Sequence, residues 1–417
     1  MAVVLFKNEI TSATSREALI FAVVILLFPL IVIFIPKATV ALLVLPVLPL
    51  LFSMPNRGAV FGALPRMVLV IMAVLAAWSL ITIWWSPRPF GGLELWARVV
   101  GIGLCGTVMF ATAARMTAAD RQFLRPAFAL SGWSFVALFA LEILTDGFLS
   151  GLGVSLWNLL TPWDTDPSRP SMLLLEASAG LAVFAWPCML AIRARNSTAI
   201  AVLFAIAVAA MLLVQNMQAS LVAFASGVVA YAAVYIFRRW GAVVFLVGLA
   251  LVNLALVLIA FETASMDQRE GINAALSGGA RERLHIIDFV YGKIFQHPVT
   301  GWGFDASRAI GQDTLGGFGD NKSIPLHPHN LWAQTWLELG AIGLVMVISL
   351  VAAVSLRINA RGRGRQAAAA AMAGVAAYLL IGNISYGMWQ NWWLAIAWLN
   401  VGFFAVTADT DNAEESS

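Results

Sequence analysis

Charged residues are scarce in this 417-residue sequence: Asp, Glu, Lys and Arg together make up 11% of it, against about 25% in an average soluble domain. Hydrophobic residues account for 61%, where soluble domains contain about 45–50%. These figures exclude an ordinary soluble domain. They also exclude a disordered chain, because so much apolar surface would not stay solvated. The remaining class is a protein that crosses a membrane many times.

The sequence also has few cysteines and lacks a recognisable signal-peptide cleavage site. The two cysteines, Cys105 and Cys188, both lie in apolar runs, which argues against a disulfide framework. No small-residue cleavage site follows a short apolar core near the N-terminus. We therefore expect the first apolar helix to be retained and not removed as a signal peptide.

Long apolar runs dominate what is present. A spanning helix needs about 20 apolar residues, and continuous runs favour helices over the alternating pattern of a β-barrel. We predict an all-α polytopic membrane protein with about twelve spans, forming one integral membrane domain over residues 1–417. The predicted spans are 18–36, 38–53, 65–85, 93–114, 126–145, 172–192, 198–214, 219–237, 241–261, 330–356, 366–385 and 389–407. The second is the weakest, since Pro46 and Pro49 interrupt it.

The distribution of Lys and Arg predicts the orientation, because short cytoplasmic loops carry an excess of both. With the N-terminus inside, segments 1–17, 54–66, 115–125, 193–195, 238–239 and 357–365 hold fifteen basic residues. The short outer loops hold three, which are Lys37, Arg88 and Arg169. We therefore expect both termini in the cytoplasm.

One long loop, residues 262–329, falls on the outer side in this orientation. It contains six basic residues and all four histidines of the chain, which are His285, His297, His327 and His329. Loops of this length are exempt from the charge rule, so the basic residues do not contradict the orientation. A second outer loop spans about 146–171. The long loop is the first candidate for chemistry at the membrane surface.

The segment from His327 to Asn330 is the strongest candidate for catalysis. Pro328 disfavours helix at His327, and Asn330 is a good N-cap for a helix that begins at Leu331. His329 then lies just outside a helix N-terminus, whose positive dipole end favours the neutral imidazole that a general base needs. Two alternatives remain: plain interfacial loop residues, or zinc ligands together with His297, although no ligand spacing or partner carboxylate supports a metal.

Three more residues of interest lie on the helix that follows. Glu338 falls on the side opposite His329, which favours buried hydrogen bonding over catalysis, although an intramembrane carboxylate is also a candidate for function. Gly340 and Gly343 are predicted to let a neighbouring helix approach closely.

Two further patterns lie in the spans and at their ends. Arg98 and Glu94, one turn apart, predict an ion pair near the outer face. Most tryptophans are predicted to form interfacial belts, among them Trp84, Trp85, Trp389, Trp392 and Trp393.

Together these motifs resemble those of a known family. His329-Asn330, followed at the right spacing by Gly340 and Gly343, matches the signature H-[NSQ]-x9-G-x-x-[GTY] of the bacterial O-antigen ligase family, which is grouped with O-antigen polymerases. Residues 281–286 (RERLHI) and 297–305 (HPVTGWGFD) are similar to the family's outer-loop segment R-L-x-I-W … P-l-x-G-W-G-x-D. The resemblance covers the organisation of the whole chain and specific residues across about 281–343.

The resemblance implies a metal-independent, inverting glycosyltransferase that needs no cofactor. Its donor would be a glycan on undecaprenyl diphosphate, and its acceptor a sugar hydroxyl of the lipid A core, at the periplasmic face of the bacterial inner membrane. By motif position, His329 accepts the hydroxyl proton and Arg283 neutralises the diphosphate, with Arg281 as the alternative. A loop salt bridge to Glu282 or Asp288 is the competing interpretation of Arg283. Membrane lipids are the expected surroundings, and no nucleic-acid partner is expected.

The sequence departs from the family pattern at two positions. Where the family commonly has a donor-binding arginine after a short outer turn, this chain has Gln218, which donates hydrogen bonds but carries no charge. Ile287 stands where the family usually has tryptophan. Either the missing charge is supplied by one of three outer-loop residues, which are Arg308, Lys322 and Arg169, or the donor is handled differently.

His327, Asn330 and Arg308 are the residues expected to support the site. Two other functions stay open. The first is a polymerase of O-antigen or exopolysaccharide, which uses the same donor with a lipid-linked glycan as acceptor. The second, of a different class, is a twelve-helix secondary transporter, which would show two matching halves and paired broken helices.

Overall fold

The structure is a computed structural model that describes residues 14–53, 60–160, 170–237, 240–262, 278–310, 327–359 and 364–407. Over these residues every regular element is helical, so the predicted all-α fold is confirmed. The α-helices are α1 Arg16–Phe34, α2 Thr39–Val44, α3 Val47–Ser53, α4 Val60–Ala63, α5 Arg66–Thr82, α6 Pro89–Arg115, α7 Ala118–Leu144, α8 Phe148–Leu160, α9 Pro170–Arg195, α10 Thr198–Val214, α11 Gln218–Phe237, α12 Gly241–Glu262, α13 Gly278–Ile294, α14 Ser307–Ile310, α15 Leu331–Ile358, α16 Arg365–Ile384 and α17 Asn391–Thr407.

Nine stretches within the described residues are long and apolar enough to cross a membrane. Each coincides with a predicted span. The other three predicted spans coincide with shorter apolar stretches, namely α10, the Gly241–Leu251 part of α12, and α17. A polytopic membrane protein is thus confirmed, and the count of twelve spans stays a prediction.

The weakest predicted span is broken where its sequence indicates. Helix α2 ends at Val44 and α3 begins at Val47, with a turn at Leu45 and Pro46 between them. The Pro46 ring lacks an N–H and clashes with the preceding turn, which disfavours one continuous helix there. The Pro36–Ser53 stretch therefore combines a short 3₁₀ turn, Pro36–Ala38, with two helical pieces.

Aromatic side chains from four helices pack together at the centre of the bundle. Phe28 of α1 lies 4.4 Å from Phe184 of α9, 5.9 Å from Phe403 of α17 and 6.2 Å from Phe135 of α7, measured between ring centroids. All four side chains are fully buried. Because these helices are apolar around most of their circumference, their inward faces form the core and their outward faces are left for lipid.

Hydrogen bonds identify the two ends of the bundle. At one end, the backbone N–H of Ser15 donates to the Asp120 carboxylate at 2.9 Å, which joins the starts of α1 and α7. At the other end, the Ser86 hydroxyl donates to the Phe304 carbonyl at 2.8 Å, and the loop holding His329 meets the loop after α16. The first contact joins segments predicted to be inner, and the other two join segments predicted to be outer.

Two helices lie within segments that were predicted only as outer loops. Helix α8 occupies half of the loop at 146–171, and α13 occupies part of the loop at 262–329. Buried side chains of α13, among them Val290 and Ile294, pack in one apolar cluster with Ala333 and Leu337 of α15. The described part of the long loop is therefore folded onto the bundle beside the candidate catalytic motif.

Candidate active site

The backbone around His329 is shaped by the start of α15. Asn330 is the N-cap, as predicted, and its side-chain oxygen accepts the N–H of Ala333 at 2.9 Å. His329 itself has a φ of 53°, a left-handed conformation that is uncommon for a residue other than glycine. Such conformations cluster at functional sites, where surrounding contacts hold them in place.

A backbone carbonyl orients the His329 ring. The His329 Nδ1 atom lies 2.7 Å from the carbonyl oxygen of Ser385, in the loop after α16. A carbonyl only accepts hydrogen bonds, so this contact requires the proton on Nδ1 and leaves the lone pair on Nε2. In its neutral form the half-buried ring therefore carries its basic nitrogen at Nε2, and the neutral state itself stays a prediction.

His327 supports His329 from one side. The two rings are 4.3 Å apart between centroids, and Gly387 packs so closely on His327 that a Cβ there would lie 2.6 Å from the imidazole. The pKa of His327 is lowered to about 3, mainly by burial, with smaller contributions in the same direction from the neighbouring His329 and Arg308. A neutral His327 at physiological pH adds no charge that would repel a proton arriving at His329.

Burial of a neutral histidine makes stability sensitive to acid. Between its ordinary pKa of 6.5 and the folded-state value of about 3, the unfolded chain binds a proton at His327 that the folded chain does not. The free energy of unfolding is therefore undiminished above pH 6.5 and falls as the pH drops through that window. We expect thermal unfolding in detergent to show this decline, and the non-titrating variant His327→Gln to flatten it. An unchanged slope in that variant would contradict the assignment.

Helix α15 is not continuous, because it breaks at Gly340. This residue has φ 68° and ψ −173°, and a Cβ at Gly340 would overlap the carbonyl of Val299. The prediction that Gly340 and Gly343 accommodate a neighbouring helix is therefore wrong. The nearest atoms to Gly340 belong to the outer segment 298–303, and those to Gly343 belong to the Leu339 side chain of the same helix.

The segment 298–303 satisfies the backbone groups that the break exposes. The N–H groups of Trp302 and Gly303 donate to the carbonyls of Leu337 and Glu338 at 2.8 and 2.9 Å, and the N–H of Ala341 donates to Pro298 at 2.9 Å. The Trp78 indole donates to the Leu339 carbonyl at 2.9 Å. Irregular backbone near a bilayer is stable only when protein satisfies it in this way.

Glu338 joins three segments at the centre of this arrangement. Its fully buried carboxylate accepts hydrogen bonds from the Trp389 indole at 2.8 Å, the backbone N–H of Asp305 at 3.1 Å and the Gln334 amide at 3.2 Å. Gln334 in turn accepts the N–H of Met388 at 2.8 Å. The structural interpretation of Glu338 is confirmed, and its effect is to align the loops that carry Asp305 and Ser385.

Asp305 is the site residue that the sequence argument did not single out. It is 3% exposed and has a φ of 65°. Its carboxylate lies 3.2 Å from Nε of Arg308 and 3.5 Å from a terminal nitrogen of Arg88. Burial raises the pKa of Asp305, and the two arginines oppose that rise. Its signal in the sequence was its match to the final aspartate of the family segment P-l-x-G-W-G-x-D.

The two arginines predicted to bind the diphosphate, Arg281 and Arg283, both lie on α13. Their side chains fall outside the described part of the structure. The choice of Arg283 over Arg281 stays a prediction.

Gln218 opens α11 on the same end of the bundle as His329. Gly227 lies against the Ala373 carbonyl, and Tyr235 stacks under Arg365 at 5.0 Å, so α11 and α16 run antiparallel. Continuing this register places Gln218 level with Gly382, three residues before the Ser385 that holds His329. Its amide lies 3.4 Å from the Asn216 side chain. Lys322 and Arg169, the other proposed substitutes for the missing arginine, lie outside the described residues.

The remaining sequence predictions had mixed outcomes. Arg98 contacts Glu94 as predicted. Trp84 is 92% exposed, as expected of an interfacial residue, but Trp389, Trp392 and Trp393 are buried and do not form a belt. They were misassigned because hydropathy at a span end cannot distinguish a lipid-facing ring from one that packs between helices.

The fold and site together define an all-α polytopic membrane protein with a histidine oriented by a backbone carbonyl where its predicted outer loops meet. Comparison with known proteins agrees with the resemblance drawn from the His329 motif: residues 200–348 match the model of the O-antigen ligase family. That range includes Gln218, both α13 arginines, Asp305 and His329, whereas Arg88 lies outside it.

Three Rickettsia proteins that carry the provisional name polysaccharide ligase are similar to this chain. The Rickettsia felis protein is 27% identical over 330 residues, which cover 77% of this chain and 76% of that protein. The Rickettsia conorii protein is 26% identical over 333 residues, covering 78% and 76%. The Rickettsia prowazekii protein is 36% identical over 124 residues, covering 29% and 30%.

Proposed function

We propose that this chain is a metal-independent, inverting glycosyltransferase of the O-antigen ligase type. It transfers a glycan from undecaprenyl diphosphate to a sugar hydroxyl of the lipid A core. In the predicted orientation the reaction takes place at the periplasmic face of a bacterial inner membrane, with both termini in the cytoplasm. The family match and the Rickettsia polysaccharide ligases support the coarser class.

One observation carries the proposal: the 2.7 Å contact between His329 Nδ1 and the Ser385 carbonyl. It leaves Nε2 as a proton acceptor at the end of the bundle where the long outer loop packs. There Nε2 takes the proton of the acceptor hydroxyl as that oxygen attacks the anomeric carbon of the donor sugar. The bond from that carbon to the diphosphate oxygen breaks, and the diphosphate leaves with the electron pair.

The leaving diphosphate needs positive charge close to the reaction. Guanidinium groups supply it without a metal, because they remain charged and bind phosphate oxygens through paired N–H groups. We assign this role first to Arg283 and next to Arg281, with Gln218 donating hydrogen bonds and Arg308 as support. His327 and Asn330 hold the position of His329 and do not exchange protons with substrate.

Deleting the gene in its native host and examining the lipopolysaccharide by gel electrophoresis tests this function. We expect loss of all long chains from the lipid A core, with lipid-linked polymer accumulating, and recovery on complementation with the intact gene. Core that carries a single repeat unit would instead identify a polymerase. Unchanged lipopolysaccharide and no accumulated lipid-linked glycan would contradict both.

A further inference from the structure

Glu176 of α9 carries a carboxyl oxygen that is shielded from solvent and has no hydrogen-bond partner. Within the described residues, its Oε2 atom accepts no hydrogen bond. An unpaired oxygen of this kind is costly to bury. A carboxyl group inside a membrane protein therefore calls for a partner or a role in binding or catalysis.

The register of three helices places Glu176 at the end of the bundle that carries His329. A Cβ built at Gly180, one turn further into α9, would lie 2.7 Å from Val32 of α1 and 3.7 Å from Ile396 of α17. Helix α1 runs toward that end, whereas α9 and α17 start from it. One turn from this contact, Glu176 is therefore level with the C-terminal end of α1 and the first turn of α17.

Two polar side chains approach Glu176 from other elements. Lys37, in the 3₁₀ turn after α1, is near enough for its charge to act on the Glu176 carboxyl. On the other side, burial and, to a smaller extent, Glu176 raise the pKa of the Tyr386 hydroxyl, which therefore keeps its proton. The Glu176 Oε2 atom accepts a hydrogen bond from neither of them. A polar group that reached Oε2 would thus lie close to a cation and to a hydroxyl donor.

Further buried polar atoms without a hydrogen-bond partner lie where α17 begins. In the described part of that segment they are Oε1 of Gln390, Oδ1 of Asn391 and Nε1 of Trp393. The Trp393 ring packs against Tyr386, 5.5 Å away between centroids. Tyr386 directly follows Ser385, whose carbonyl orients His329. Glu176 and these atoms therefore belong to one region, next to the loop that orients the candidate base.

The unpaired atoms indicate the chemistry of the missing partner. Three of them are oxygens that accept hydrogen bonds, and one is an indole N–H that donates. An ionised diphosphate has no proton to donate to Glu176. An ammonium group cannot accept from Trp393, and Lys37 would repel it. A hydroxyl both donates and accepts, and the sugars of the two proposed substrates present many hydroxyls.

We propose that Glu176 is a specificity-determining residue that binds a hydroxyl group of a substrate sugar. This inference deepens the proposed function and rests on it. The sugar hydroxyl donates to Glu176 Oε2 and accepts from Tyr386 or Lys37. The sugar belongs either to the acceptor or to the donor glycan, since both have the same hydroxyl chemistry. Glu176 takes no part in breaking or making bonds, and His329 remains the base.

Glu176→Gln tests this role in the transfer reaction. An amide accepts a hydrogen bond less strongly than a carboxylate, so the KM for the substrate that carries the sugar should rise about tenfold, with a smaller change in kcat. The unfolding temperature should stay the same or rise, because the variant removes a carboxyl that the empty protein leaves unpaired. Glu176→Asp, which keeps the carboxylate on a shorter side chain, should recover part of the lost affinity.

Binding to the purified full-length protein in detergent tests the site without relying on transfer. One probe is core oligosaccharide released by mild acid from the lipopolysaccharide of the deletion strain, and the other is lipid-linked glycan extracted from that strain. A bound probe raises the unfolding temperature. We expect this rise to shrink in Glu176→Gln for the probe whose sugar occupies the site, which identifies the sugar's source. The matched control, Glu94→Gln, removes a carboxylate whose side chain is 64% exposed and should preserve both rises.

Four results would overturn the sugar site. A lower unfolding temperature in Glu176→Gln with unchanged KM values would show a structural role. Unchanged KM values and unchanged probe responses would leave only ordered water at Oε2. A Glu176-dependent response to phosphatidylethanolamine, without one to either sugar probe, would show that the occupant is a lipid amine. Equal effects of Glu176→Gln and Glu94→Gln would remove the specific assignment.

Failure of the proposed function gives a different pattern. In that case the intact protein transfers no glycan to the lipid A core, while a response to core oligosaccharide that depends on Glu176 would leave the sugar site standing. Conversely, transfer that requires His329 but tolerates Glu176→Gln at unchanged KM would remove the sugar site and leave the proposed function intact.

Discussion

Replacing His329 by alanine should reduce glycan transfer by about 10²–10⁴-fold, the usual contribution of a positioned general base. The variant removes the Nε2 lone pair and leaves the acceptor hydroxyl without a proton acceptor. The ring is only half-buried, and Asn330 still caps α15, so the fold should survive. Transfer is measured with purified protein and lipid-linked donor, alongside the unfolding temperature of each preparation.

Two matched variants make this result specific. His297→Ala removes an exposed histidine of the same outer loop, whose ring contacts Trp302, and should retain most of the activity. His329→Gln keeps a polar side chain of similar size without an imidazole and should be as inactive as alanine. Full activity in His329→Ala with an unchanged unfolding temperature would eliminate this residue as the base. Equal losses in His297→Ala and His329→Ala would show that any disturbance of the loop suffices.

Gly340→Ala should have the largest effect on stability, a loss of about 2–6 kcal/mol in the free energy of unfolding. The left-handed backbone costs a residue with a side chain about 1–3 kcal/mol, and overlap with the Val299 carbonyl adds about as much again. Because segment 298–303 would be displaced, Asp305 should move with it, and glycan transfer should fall as well. Thermal unfolding in detergent measures the first effect.

The control for this variant is Gly101→Ala, a helical glycine of α6 with nothing within 4 Å of an added Cβ. It should be neutral or slightly stabilising, since alanine favours helix over glycine by about 1 kcal/mol. If Gly340→Ala unfolds at the same temperature as Gly101→Ala, the break in α15 is not a requirement of the fold. The opposite ordering would contradict the packing of the outer segment on α15.

Residues 281–343 contain both the features of the site that were predicted from sequence and the features that were not. Asn330 was predicted as an N-cap because capping depends on a few consecutive residues, and Glu338 as a buried hydrogen-bonding group because helical periodicity fixes its side of the helix. The break at Gly340 was not predicted, since it is held open by Pro298 and Gly303, which contact it only after the outer loop folds back. Asp305 was missed for the same reason, because one of its partners, Arg88, comes from a distant part of the chain.

Hydrophobic run lengths and the placement of Lys and Arg predicted the helical membrane fold and the end of the bundle that carries the histidines. Both depend on local composition, because a bilayer requires each span to satisfy its own backbone hydrogen bonds. Tertiary structure decided which nitrogen of His329 donates to a backbone carbonyl, where α15 breaks, and which arginines share a carboxylate. Those outcomes arise from contacts between residues far apart in sequence, the Ser385 carbonyl with His329 and the Asp305 carboxylate with Arg88, which only the packed outer loops bring within hydrogen-bonding or ion-pair distance.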